Sequence, residues 1–96
     1  MTIKQWCEEI GSWRRDKGFM TEWTNMPEKL MLVVTELAEA MEALRQPDRG
    51  NFPEEIADAV IRLFDICDAV HIDLEDEIAS KMEKNARRPF RHGKVM

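Results

Sequence analysis

EEIADAVIRLFD, residues 54–65, decides how this chain is read. Ile56, Ala57, Ala59, Val60, Ile61, Leu63 and Phe64 describe a helix apolar on most of its circumference. Glu55, Asp58, Arg62 and Asp65 interrupt it at regular intervals. At about 100° per residue the four fall in one stripe roughly 80° wide. The apolar arc is a packing surface. The stripe holds groups that are expensive to bury, so it needs a separate reason.

Working outward, the preceding helix is expected from about Asn25, a candidate N-cap, to about Arg45, with Pro27 in its first turn. Leu30, Val33, Val34, Leu37, Met41 and Leu44 share one face of it. RQPDRGNFP, with two Pro and one Gly, forces a break before a third helix from about Pro53 to Val70. An earlier helix runs from Thr2, its cap, to Lys17. Ile3, Trp6, Cys7, Ile10 and Trp13 recur along it at helical spacing, and Gly18 ends it. Trp6 and Trp13 are expected in the core or at a subunit interface. GFMTEWTNMP reads as a loop carrying Phe19 and Trp23. His71 and Ile72 form a short joint, and Asp73 caps a fourth helix through about Ala86. Residues 87–96 are a basic tail. No strand alternation or repeat is present, so the expectation is one all-α domain over residues 1–96, a four-helix bundle.

Composition agrees. The 96 residues include no Tyr and seven Met, and the formal net charge is −5, which weighs against a nucleic-acid polymer as partner. From Lys81 onward six Lys/Arg stand against one acid. Such a tail suits a phosphorylated ligand or the chain's own acidic surface. Cys7 and Cys67 lie at apolar helical positions without a CxxC or a Cys/His cluster, so two free thiols and a cytoplasmic protein are expected. No apolar run approaches the roughly 20 residues that span a bilayer, and no membrane association is expected.

The acids fall in pairs. Glu36 and Glu39 stand three apart on the second helix, hence on one face, and lie off its apolar centre near Leu37 and Leu44. Glu55 and Asp58 repeat that spacing on the third. A short connection makes the two helices antiparallel, and a modest offset brings the pairs face to face. Converging carboxylates repel unless a cation neutralises them. Oxygen-only ligands favour Mg2+, Mn2+ or Ca2+ over Zn2+. The bland alternatives are solvated helix faces, an Arg62–Asp65 surface ion pair and a Lys81–Glu77 bridge.

TELAEAMEALR followed by EEIADAVIRLFD resembles the ExxE…ExxD signature of the MazG-like nucleotide pyrophosphohydrolases, within the all-α NTP pyrophosphatase group. The similarity extends through HIDLEDEIASKMEKNARRPFRHGK. The resemblance implies a MazG fold assembled as a homodimer or homotetramer, with sites built between subunits. It implies hydrolysis of a nucleoside triphosphate to the monophosphate and pyrophosphate. By that resemblance Glu36, Glu39, Glu55 and Asp58 are the catalytic metal ligands, for Mg2+ with Mn2+ as a substitute. Lys81 and Asn85 match phosphate contacts, with Arg88 a weaker candidate. Trp23, and less firmly Phe19, match the aromatic loop that holds the base. Arg62 stands where a dCTP-preferring relative carries Tyr, which leaves base preference open. Competing readings are a non-catalytic nucleotide-binding bundle, a di-iron or di-manganese carboxylate bundle, of whose ligand set Asp68-x-x-His71 resembles only half, and a bundle without ligand.

Overall fold

The computed structural model describes residues 1–89; the rest of the basic tail, His92 included, lies outside the described residues. Four α-helices form, α1 (Ile3–Lys17), α2 (Met26–Ala43), α3 (Phe52–Ala69) and α4 (Leu74–Ala86), and no strand occurs among the described residues. The all-α expectation holds. None of these helices is long and apolar enough to cross a membrane.

The helix ends follow local chemistry. Thr2 and Gln5 make a reciprocal capping box on α1, and the Asp73 carboxylate accepts from the Asp76 N–H at 3.0 Å. Gly18, at φ 78°, adopts the left-handed conformation that stops α1, and the Phe19 N–H returns to the Arg14 carbonyl at 3.2 Å. His71 fills the same role after α3 at φ 60°, with the Ile72 N–H on the Cys67 carbonyl at 2.8 Å. Asn25 departs from expectation. Its side chain caps no N–H of α2 but ties the preceding loop, donating to the Met20 carbonyl and accepting from the Glu22 N–H, ahead of a short 3₁₀ turn at Trp23–Asn25.

α3 is the central helix. α2 packs along it antiparallel, placing Met26 and Val33 against Ile66 and Val70. α1 packs on α3 as well, and α4 mainly on α1. The radius of gyration is 16.0 Å, where a compact chain of this length has roughly 12–13 Å.

The main surprise is the orientation of α2. The apolar face legible in the sequence is not the buried one. Val33, Glu36, Ala40 and Ala43 are buried, whereas Leu30, Val34, Leu37, Met41 and Leu44 are exposed, Met41 at 66%. Ile56, Val60 and Leu63 of α3 are partly exposed too, and so are Trp6 and Trp13, which do not enter the core of the chain. Small residues explain the seam. Ala40, Ala43 and Ala59 bring α2 and α3 close together, and close backbones let short acidic side chains meet. The larger apolar stripe, repeating at alternating spacings of about four and three residues, is left facing outward.

Candidate functional site

Glu36 and Glu39 of α2 and Glu55 of α3 each place a carboxylate oxygen within 4.8 Å of the others. Glu36 and Glu55 are buried at 8% exposure each. The loop into α3 prepares Glu55. Asp48 accepts from the Gly50 N–H at 2.9 Å, and Arg49 and Gly50 both take positive φ, which turns the chain into α3. Asn51 Nδ2 then donates to Glu55 Oε1 at 3.0 Å. The other oxygen, Oε2, is buried without a hydrogen-bond partner. Burial above all raises the Glu55 carboxyl above its usual pKa. The neighbouring carboxyls of Glu39, Asp58 and Glu36 add to this. An anchored carboxylate with one orphaned buried oxygen, set among other carboxylates, is the donor set a hard divalent cation requires.

Asp58 stands one turn further along α3, partly buried, and lines a groove beside the cluster together with Glu36. Arg62 follows one turn later. Its Nε lies 3.7 Å from Glu36 Oε1, so it pairs with that acid and not with Asp65. Asp65 belongs elsewhere. Arg14, buried on α1, donates to Asp65 Oδ1 at 2.7 Å, to the Asp65 carbonyl at 3.2 Å and to Asp68 Oδ2 at 3.1 Å. Arg15 reaches the same Asp68 oxygen, and the Thr21 hydroxyl donates to Asp65 Oδ2 at 2.7 Å. Asp68 also sits over Gly11, where a Cβ would fall 1.8 Å from its Oδ2. Asp68 is therefore held by two arginines, which engages the acid of the Asp68-x-x-His71 pair.

The remaining candidates are dispersed. Lys81 is exposed and makes no bridge to Glu77; Asn85 is partly buried, its Oδ1 without a partner. Arg88 is exposed near the end of the described chain. α4, which carries Lys81 and Asn85, lies mainly against α1, not against the acids of α2 and α3. Trp23 is 69% exposed and lies outside the groove, whereas Phe19 lines it. Cys7 and Cys67 are free and buried, and burial pushes both thiols up in pKa, which leaves them protonated and unreactive.

Sequence reasoning missed Asn51, Arg14 and the contribution of α1 to the groove. Two signals were there to find: a glycine inside a helix, which marks a close approach, and an arginine at the next helical repeat after Cys7 and Ile10.

Residues 26–92 match the family described as the MazG nucleotide pyrophosphohydrolase domain. The chain belongs to that family. The MazG match begins at the first residue of α2 and leaves α1 and the aromatic loop outside it. No match was found among curated proteins or among solved structures.

Proposed function

We propose that this MazG-family chain is a Mg2+-dependent nucleoside triphosphate pyrophosphohydrolase, converting a (d)NTP to the (d)NMP and pyrophosphate. The observation that carries the reading is the Glu36–Glu39–Glu55 cluster with the orphaned Oε2 of Glu55. In it Glu36, Glu39, Glu55 and Asp58 hold the cation, with Mn2+ as a substitute. When bound there, the cation would offset the charge of the carboxylates and the triphosphate and would supply Lewis acidity. The protein positions the reactants. Carboxylate oxygens of the set accept hydrogen bonds from a water and align it with the anhydride between the α- and β-phosphates. Lys81, Asn85 and Arg88 donate to phosphate oxygens.

The same reading includes a homodimer or homotetramer. The stripe Leu30, Val34, Leu37, Met41 and Leu44 has the spacing of a helix–helix seam and is exposed in the single chain. α4 lies on α1, so Lys81 and Asn85 serve the acids across a subunit boundary. The reading extends to nucleotide-pool housecleaning.

The test incubates purified protein with Mg2+ and each common (d)NTP and measures pyrophosphate. Turnover is expected for wild type and is abolished in Glu39→Ala and Asp58→Ala. A wild type that turns over no nucleotide, or variants with full activity, removes the reading. Sedimentation of Leu37→Asp tests the assembly, with a shift to monomer expected.

A further inference from the structure

α1 and α2 both lean on α3 and diverge from each other. Between them lies a groove of about 980 Å³, floored by Ile61 and Arg62, with Trp13 on the α1 wall and Leu32 on the α2 wall. That volume matches sites that hold drug-sized ligands. Glu36 and Asp58 line the same groove. A molecule with its phosphates at the acids therefore extends its remaining part along this groove.

The aromatic surface of the groove is built by the stop of α1. The left-handed Gly18 turns Phe19 back over the last turn of the helix, and the Phe19 and Trp13 rings meet with centroids 6.3 Å apart at 46°. The Thr21 hydroxyl on Asp65, itself held by Arg14, fixes the loop after Phe19 to α3. Trp13 and Phe19 remain more than half exposed after these contacts, so apolar ring surface is still open to the groove. Lys29, Leu32 and Glu36 face the groove, and the exposed α2 stripe points about 130° away from them. A partner seated on that stripe leaves the groove open.

Hydrogen bonding supplies the selectivity. Arg14, Asp65 and Thr21 are engaged with one another. Glu9 and Asp16, by contrast, line the groove with no hydrogen bond or ion pair, four residues before and three after Trp13, on one face with it. A carboxylate only accepts. It rewards the exocyclic amino group of cytosine, adenine or guanine. Uracil and thymine offer one ring N–H flanked by two carbonyl oxygens, which a carboxylate repels.

We infer that Trp13 and Phe19, not Trp23, hold the substrate base, and that Glu9 and Asp16 select bases bearing an amino group over uracil and thymine. The inference rests on the proposed pyrophosphohydrolase reading.

The experiment titrates non-hydrolysable α,β-imido dCTP and dTTP into the full chain with Mg2+ by calorimetry, alongside pyrophosphate release from the five nucleotides dCTP, dATP, dGTP, dUTP and dTTP. The dCTP analogue is expected to bind about 10-fold tighter than the dTTP analogue. Trp13→Ala and Phe19→Ala weaken both by about 10-fold or more. Glu9→Gln/Asp16→Asn removes the preference, weakening the dCTP analogue and tightening the dTTP analogue, and Trp23→Ala behaves as wild type. Circular dichroism checks that each variant folds. Wild-type affinity in Trp13→Ala and Phe19→Ala, loss of binding in Trp23→Ala, or a wild type that binds the dTTP analogue more tightly than the dCTP analogue overturns the inference. The two readings fail separately. Groove-dependent binding without pyrophosphate release removes the reaction and keeps the base site; pyrophosphate release with affinities indifferent to these variants removes the base site and keeps the reaction.

Discussion

Two clusters of charge sit on adjoining faces of α3, one toward α1 and one toward α2, and they are built differently. On the α1 side, Arg14 and Arg15 meet Asp65 and Asp68, and each partly buried carboxylate finds a guanidinium within 3.2 Å. On the α2 side, of Glu36, Glu39, Glu55 and Asp58, Glu36 alone has an arginine close by, Arg62, at 3.7 Å and about two-fifths exposed. The first cluster is neutralised by the chain. The second is held together by helix packing and an asparagine although its charges repel. That contrast separates the structural ion network from the candidate site.

Removing charge on each side sharpens the comparison. Arg14→Ala leaves the partly buried Asp65 and Asp68 without their main partner and is expected to cost about 3 kcal/mol, measured by urea denaturation. A loss under 1 kcal/mol would break the contrast. Gly11→Ala tests the same network by volume. Propensity predicts a gain of about 1 kcal/mol, but the added Cβ strikes the Asp68 carboxylate and the net expectation is a loss of about 1–3 kcal/mol.

On the α2 side, Asn51→Ala frees Glu55 Oε1 and is expected to weaken Mg2+ binding by about 10–100-fold in calorimetry, with little change in fold. The smallest effect is the pH response. The folded-state pKa of Glu55 lies above its usual value of 4.5. Its stabilising contribution is therefore fully present below that value and lost as pH rises through the folded pKa. In EDTA, Glu55→Gln is expected to be more stable than wild type at neutral pH, with the gap closing as pH falls toward 4.5. Denaturation curves at several pH values check this, and a gap that widens on acidification reverses the assigned sign.

Each helix end that the sequence marked is set by neighbours a few residues away. Thr2, Gly18 and Asp73 act on backbone groups within one turn, so their roles were legible. Asn25 was misread because its side chain had two local choices, the helix N–H groups or the loop, and the loop contacts won. The acid pairs were legible because three-residue spacing on a helix fixes a common face. Asp65 was assigned to the wrong arginine because Arg62 is near in sequence while Arg14, 51 residues away, is near in space.

The sequence by itself determined the helices, their order and the acid pairs, since capping and periodicity are short-range. Tertiary structure alone decided which face of α2 is buried, which arginine holds Asp65 and which aromatic wall lines the groove. An apolar stripe records that a surface seeks cover, but not whether its own chain or another supplies it. The small residues of the α2–α3 seam gave the inner face to the acids and left the stripe outside.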